Sequence, residues 1–289
     1  MRKLLKYEMR AMNRRLFPVY LGMLAVALLN GFFGMGAMIQ ESNALEHMLD
    51  ALPGPLSFLL GMMQMVIITL FFGIMIGMMV IWLLTTINRF NKGLLGEEGY
   101  LMFTLPVSTG RLIGAKLLAS SIHLVLASLV ALLSMCFMAG TTGISAFFRL
   151  MADADFGSFF GELARACPTW PLVGLEFLAL CVLGVFGTVL HFYLSMALGH
   201  LSNSHRTLMS VLAYIGISVA MSVLSSLGLT GLMLLENVGF VESIARFVFD
   251  HGELAGHLMM LALLALSVIQ CVIFWFCTRY ILKRRLNLE

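Results

Sequence analysis

The chain has 289 residues, 60% of them hydrophobic and 11% charged, with a mean hydropathy of +0.97; an average soluble domain carries about 25% charged residues. Only a bilayer accommodates that much apolar surface, which excludes a soluble globular domain. A net charge of +3 over this length carries no signature of a nucleic-acid partner.

The first fifteen residues interleave Arg2, Lys3, Lys6, Arg10, Arg14 and Arg15 with Leu4, Leu5 and Met9. This pattern predicts a basic amphipathic helix lying on anionic headgroups, or a simple topology anchor. The apolar run that follows is too long for a signal peptide and lacks a small-residue exit, so it reads as a retained first span. Six charge-free runs each exceed the roughly 18 residues that mark a membrane-spanning helix. They predict spans at about 17–39, 56–87, 112–139, 172–200, 207–234 and 255–281. The second run opens with Pro53-Gly54-Pro55, which predicts a helix starting only at Leu56. The fold class is therefore an all-α integral membrane protein forming one transmembrane domain over residues 1–289.

Of the 18 Lys and Arg residues, 15 fall on one side of this arrangement, and only Arg149, Arg165 and Arg246 on the other. The basic side is then cytoplasmic and holds both termini. Cys136, Cys167, Cys181, Cys271 and Cys277 are scattered without C-x-x-C spacing, giving neither a disulfide framework nor a zinc site.

Catalytic chemistry is hard to find. Gly110–Lys116 (GRLIGAK) lacks phosphate-loop spacing and no H-E-x-x-H occurs, so the chain does not bind ATP by that route. Glu97-Glu98 is similar to the paired acids of one intramembrane protease class, but Met102 stands where that motif needs Arg. Ionisable groups inside spans are expensive and usually kept for a role. Glu176 is the only acid near a span, and His123, His191 and His257 are the others. Glu176, His191 and His257 are candidates for a substrate path or outer gate, against the plainer reading of each His as a hydrogen-bonded packing residue. The methionines of span two (Met62, Met63, Met65, Met75, Met78, Met79) read as adaptable packing rather than a soft-metal site. Gly73 and Gly77 form G-x-x-x-G, and Ser218, Ser222 and Ser226 share a face of span five; either set suits close helix packing or a dimer seam, with the serine face preferred.

The segment between spans two and three, Arg89–Lys116, is the most informative. Glu97 and Glu98 suit the first turn of a short helix, and Tyr100, Leu101 and Phe103 give it an apolar surface. Pro106 stops it, and Ser108 or Thr109 caps the next helix. Such knobs must be buried on headgroups or on a partner protein. The stretch Gly96–Ser108 (GEEGYLMFTLPVS), with Lys116-Leu117-Leu118 downstream, resembles the corresponding segment of bacterial ATP-binding-cassette (ABC) transporter permeases of the type-2 exporter family. Its wording covers about twenty residues, and the six-span layout covers the chain.

The resemblance implies a coupling helix here, with Glu97, Glu98, Tyr100, Phe103 and Pro106 docking into a separate ABC ATPase subunit that holds ATP and Mg. It implies a second permease copy or a paralogous permease, location in the bacterial cytoplasmic membrane, and short re-entrant helices between Glu236 and Glu253. No cofactor and no catalytic or metal-binding residue is expected in the chain itself. The implied activity is export of a hydrophobic or amphipathic peptide, drug or lipid by alternating access. An ion-gradient-driven carrier and an anchor or sensor that recruits an ATPase without transport are the alternatives.

Overall fold

A computed structural model of the chain describes residues 2–30, 54–95, 108–138, 161–162, 165, 168–202, 205–234 and 240–284. The helices are α1 (Arg2–Asn30), α2 (Gly54–Phe90), α3 (Thr109–Met138), α4 (Trp170–Gly199), α5 (Arg206–Leu234), α6 (Phe240–Asp250) and α7 (Gly252–Arg284). No strand occurs among the described residues. Six helices are long and apolar enough to cross a membrane, over Lys3–Asn30, Met65–Leu95, Thr109–Phe137, Trp170–Gly199, Arg206–Gly228 and Gly252–Lys283. The chain is a multi-pass membrane protein.

Large apolar side chains such as Leu224, Leu227, Met259 and Leu266 stand on the outside, as lipid-facing positions require. The hydroxyls of Thr69, Ser128, Ser210 and Ser225 each donate to the carbonyl four residues earlier, at 2.8–3.0 Å. Hydrocarbon offers no water, so a side-chain donor there turns back on its own helix.

Helix ends differ from the sequence expectation by up to three residues in α2, α3, α4, α5 and α7, and two starts show local causes. Helix α2 starts at Gly54, ahead of Leu56, because a proline in the first helical turn lacks an N–H that would be unpaired there anyway. Helix α1 is unbroken from Arg2 to Asn30 with Pro18 inside, so the basic stretch and the first span are one element. An interfacial helix separated from that span is not among the described elements.

The chain divides into two compact units, one of Ile87–Ser121 and Phe160–Glu289 with Met1, the other of Arg2–Thr86 and Ile122–Phe159. In the first unit α4 packs along both α5 and α7, and α6 packs on α7. The α4–α5 junction is tight: a Cβ on Gly199 would lie 2.6 Å from the Ser210 Cα, so only glycine allows this approach. The turn after it is closed by His200, whose backbone N–H donates to the Met196 carbonyl at 3.1 Å. Burial lowers the His200 imidazole from its ordinary value of 6.5, with the Arg206 charge acting the same way against the hydrogen bond to Met196.

In the second unit the Tyr20 hydroxyl of α1 donates to the His123 carbonyl of α3 at 3.1 Å and lies 3.5 Å from that ring's Nδ1. Met12, Leu16, Met23, Phe71 and Met78 are fully buried; of the other span-two methionines, Met62, Met63 and Met65 are exposed and Met75 and Met79 are half-buried. Between Glu236 and Glu253, α6 forms a short helix immediately before α7, with Phe249 exposed.

Candidate functional site

Three polar arrangements in the first unit sit where chemistry in a membrane would be built. The first is the stem of the segment between α2 and α3. Helix α2 ends in a π-helical turn, Asn91–Leu95, whose Gly93, Leu94 and Leu95 are buried. A π turn widens the backbone and frees carbonyls. Lys116 of α3, only 4% exposed, donates from Nζ to the carbonyl of Arg89 at 3.0 Å. Its ammonium lies over Gly93, where an added Cβ would come 2.6 Å from Nζ. A buried lysine is costly unless its proton donors are used, and here one of them ties the end of α2 to α3.

Further contacts stiffen the same region. Phe90 stacks on Tyr193 with ring centroids 4.1 Å apart, and Tyr193 shares a hydrogen bond with Ser120 at 3.0 Å. Helix α3 begins at Thr109, and the Ser108 carbonyl accepts from the N–H groups of Arg111 and Leu112, so Ser108 stands in the capping place. Gly110 in the first turn lies against Trp275 and Arg279 of α7. The residues expected to couple, Glu97, Glu98, Tyr100, Phe103 and Pro106, lie outside the described residues.

The second arrangement joins Glu176 of α4 to His257 of α7. Nδ1 of His257 is 3.1 and 3.0 Å from the two carboxylate oxygens, with the side chains 13% and 7% exposed for His and Glu respectively. With the carboxylate ionised, Nδ1–H is the donor. Nε2 of His257 is buried without a hydrogen-bond partner among the described residues. Glu176 and His257 come six and five residues after the starts of α4 and α7, so they lie about 9 and about 8 Å along their helices from those starts. Two groups marked separately in the sequence thus form one partly buried pair.

The third is a polar pocket of about 150 Å³ between the middles of α4 and α7, lined among others by Gly184, Thr188, His191, Ser267 and Gln270. None of its lining residues is Asp, Glu, Lys or Arg. The His191 ring is fixed by stacking on Tyr214 of α5 at 4.5 Å and by a tilted contact with Phe274 at 5.5 Å. Its Nε2 is buried with no hydrogen-bond partner among the described residues. Beside Gly187 the helices close up, with Cys271 Sγ 3.7 Å from where a Cβ would be, while around Gly184 a Cβ would meet nothing within 4 Å. A separate apolar cavity of about 210 Å³, lined by Leu117, Phe186, Leu190, Val272 and Trp275, shares Cys271 with the polar pocket.

His191 is therefore apart from the Glu176–His257 pair, fifteen residues or about 22 Å along α4. Thr188, Ser267 and Gln270 were missed in the sequence, where isolated uncharged polar residues in spans give no pattern. Their only sequence signal is that Thr188 falls one helical turn before His191 and Ser267 one turn before Cys271.

The remaining sequence candidates are placed as follows. Ser218 and Ser226 donate to the carbonyls of Tyr214 and Ser222 at 2.8 and 2.9 Å, and Ser222 and Ser226 are exposed. An added Cβ on Gly73 or Gly77 would meet open space, so no helix of the described residues seats on that motif. Cys136, Cys181, Cys271 and Cys277 are free. Among the described residues no group of three or more His, Cys, Asp or Glu side chains is placed to hold a metal ion.

The chain matches no protein-family model, no curated protein and no solved structure.

Proposed function

We propose that the chain is the membrane-spanning subunit of an ATP-driven exporter, working as a pair of such subunits with separate ATPase chains and moving a hydrophobic or amphipathic cargo. The observation that carries this reading is the stiff stem around the segment 96–107. A segment that docks on a moving partner transmits motion only if its ends do not yield. Here the outgoing end is held by Lys116 on the Arg89 carbonyl, and the returning end, at Gly110, lies against Trp275 and Arg279 of α7. Helix α7 in turn carries one wall of the mid-span polar pocket.

ATP binding on the partner closes the ATPase pair, the docked segments move with it, and the spans shift between two packed arrangements. ATP and Mg reside on the partner; this chain supplies the path. The nearly uncharged spans suit a peptide, drug or lipid cargo better than a charged polymer, because a charge is costly in hydrocarbon.

The test is purification of the tagged chain from its native membrane in mild detergent, with partners identified by mass spectrometry. A phosphate-loop ATPase at one copy per permease is expected, and Glu98→Arg or Phe103→Ala each lowers its recovery about tenfold, the loss of one well-buried contact. Wild-type recovery with both variants would sink the coupling assignment.

The partly buried Glu176–His257 pair favours a second reading, a proton-gradient-driven carrier, since carboxylate–imidazole pairs serve as proton relays in such proteins. Flux into liposomes containing the purified chain alone, driven by a pH gradient without ATP and lost in Glu176→Gln, would establish that reading in place of the exporter.

A further inference from the structure

We propose that the mid-span pocket between α4 and α7 binds one uncharged amide-sized group of the cargo, with Thr188, Ser267 and Gln270 as hydrogen-bonding partners and the His191 ring as part of the wall. The inference rests on the permease reading and names the substrate chemistry for it.

Size comes first. A cavity of about 150 Å³ holds a benzene-sized guest, roughly six non-hydrogen atoms, when its walls are apolar. This one is polar, so its guest is a polar group of that size rather than a hydrocarbon ring, and the rest of the cargo stays in the apolar surroundings.

Charge comes second. With no Asp, Glu, Lys or Arg in the wall, a carboxylate or ammonium entering it would lose its hydration and gain no counter-charge, which is prohibitive at the centre of a bilayer. Hydrogen-bonding capacity decides the rest. The Gln270 amide offers both donor and acceptor, and the Thr188 hydroxyl, whose proton goes to the Gly184 carbonyl at 2.9 Å, keeps its lone pairs. The His191 ring closes this wall, held by Tyr214 and Phe274, with its Nε2 buried and without a partner among the described residues. A wall that presents donors and acceptors without charge matches the one N–H and one C=O of an amide, the repeating group of an apolar peptide and the linkage of an amide lipid. Gly184 keeps the space open, since an added Cβ there meets nothing within 4 Å.

The experiment uses the purified full-length chain in lipid nanodiscs, without ATPase. Three photoreactive probes carrying the same diazirine are compared: an apolar tripeptide with blocked ends, a long-chain fatty amide, and a hydrocarbon of equal length. Adducts are mapped by peptide mass spectrometry. Crosslinks from at least one amide probe are expected to concentrate on 183–191 and 267–271 about fivefold above the hydrocarbon, the discrimination of one neutral hydrogen bond. The peptide arm and the fatty-amide arm tell the two sources apart.

Gln270→Leu removes one partner and returns the ratio to that of the hydrocarbon. Gly184→Leu fills the pocket at a position with free space and better helix propensity, so it folds and abolishes the concentrated crosslinks. An amide pattern equal to the hydrocarbon pattern, or one that persists in Gly184→Leu, overturns the proposal and leaves a pocket that holds water only. ATPase recovery from native membranes is read separately: specific crosslinks without an ATPase keep the amide site and remove the exporter reading, and an ATPase with uniform crosslinks does the reverse.

Discussion

The two units handle buried polarity differently. In the unit of Ile87–Ser121 and Phe160–Glu289, polar side chains are tied across helices, Lys116 to the Arg89 carbonyl, Glu176 to His257 and Ser120 to Tyr193, while Asn91 Oδ1, Ser121 Oγ and the Nε2 atoms of His191 and His257 are buried with no partner among the described residues. In the unit of Arg2–Thr86 and Ile122–Phe159, the side chains of Asn30, Thr86 and Ser134 and the Nε2 of His123 are buried with no partner among the described residues, and the shared contact is with a backbone carbonyl at His123. Cross-helix side-chain ties fix one arrangement of helices, because moving either helix leaves a buried polar group unsatisfied. Apolar packing of Met12, Leu16, Met23, Phe71 and Met78 carries no such penalty on sliding. The first unit thus holds its register through several side-chain ties, and the second combines the Tyr20–His123 tie with apolar packing.

Replacing the ties should break this contrast in a graded way. Lys116→Met, which keeps the stem volume and removes the tie, is expected to lower stability by about 2–3 kcal/mol, the range for a hydrogen bond made by a charged group. Chemical denaturation in detergent measures that loss, and ATPase recovery should fall with it. A stable variant with full recovery would show that the stem does not depend on Lys116. Next, Glu176→Ala is expected to cost about 2 kcal/mol. A double-mutant cycle with His257→Leu assigns the loss to the pair, and a coupling near zero means that the two side chains act independently.

In the second unit, His123→Leu keeps the carbonyl that accepts from Tyr20 and removes an unpartnered buried nitrogen, so stability should stay within about 1 kcal/mol of wild type. A loss as large as that of Lys116→Met would erase the distinction between the units. The smallest effect is expected for Ser222→Ala, exposed on α5, at less than about 0.5 kcal/mol in monomeric detergent complexes. A drop in the dimer fraction by light scattering, with monomer stability unchanged, would mark that serine face as a seam.

Much of the fold was legible as charge spacing. Charges bounded the spans because a bilayer tolerates few of them, and the predicted spans 112–139, 172–200, 207–234 and 255–281 lie within three residues of α3, α4, α5 and α7 at each end. The starts of α1 and α2 were set by local backbone chemistry. Pro55 is compatible with the first turn of α2, and the basic start of α1 continues into its span across Pro18. The site was legible only residue by residue. Glu176 and His257 stood out as ionisable groups in apolar runs, but they are 81 positions apart, and no spacing rule links residues on different helices.

Sequence by itself determined that this protein lives in a membrane, crosses it with six helices and carries a distinctive segment between the second and third. Those features follow from hydrophobicity, charge and helix length, which are sums over neighbouring residues. Tertiary structure alone decided that Glu176 meets His257, that Lys116 closes over Gly93, and that Thr188, His191, Ser267 and Gln270 line one pocket. Such meetings depend on which face of each helix turns toward its neighbour, and in lipid that choice rests on small residues and polar contacts, whose pairing a single chain of letters does not record.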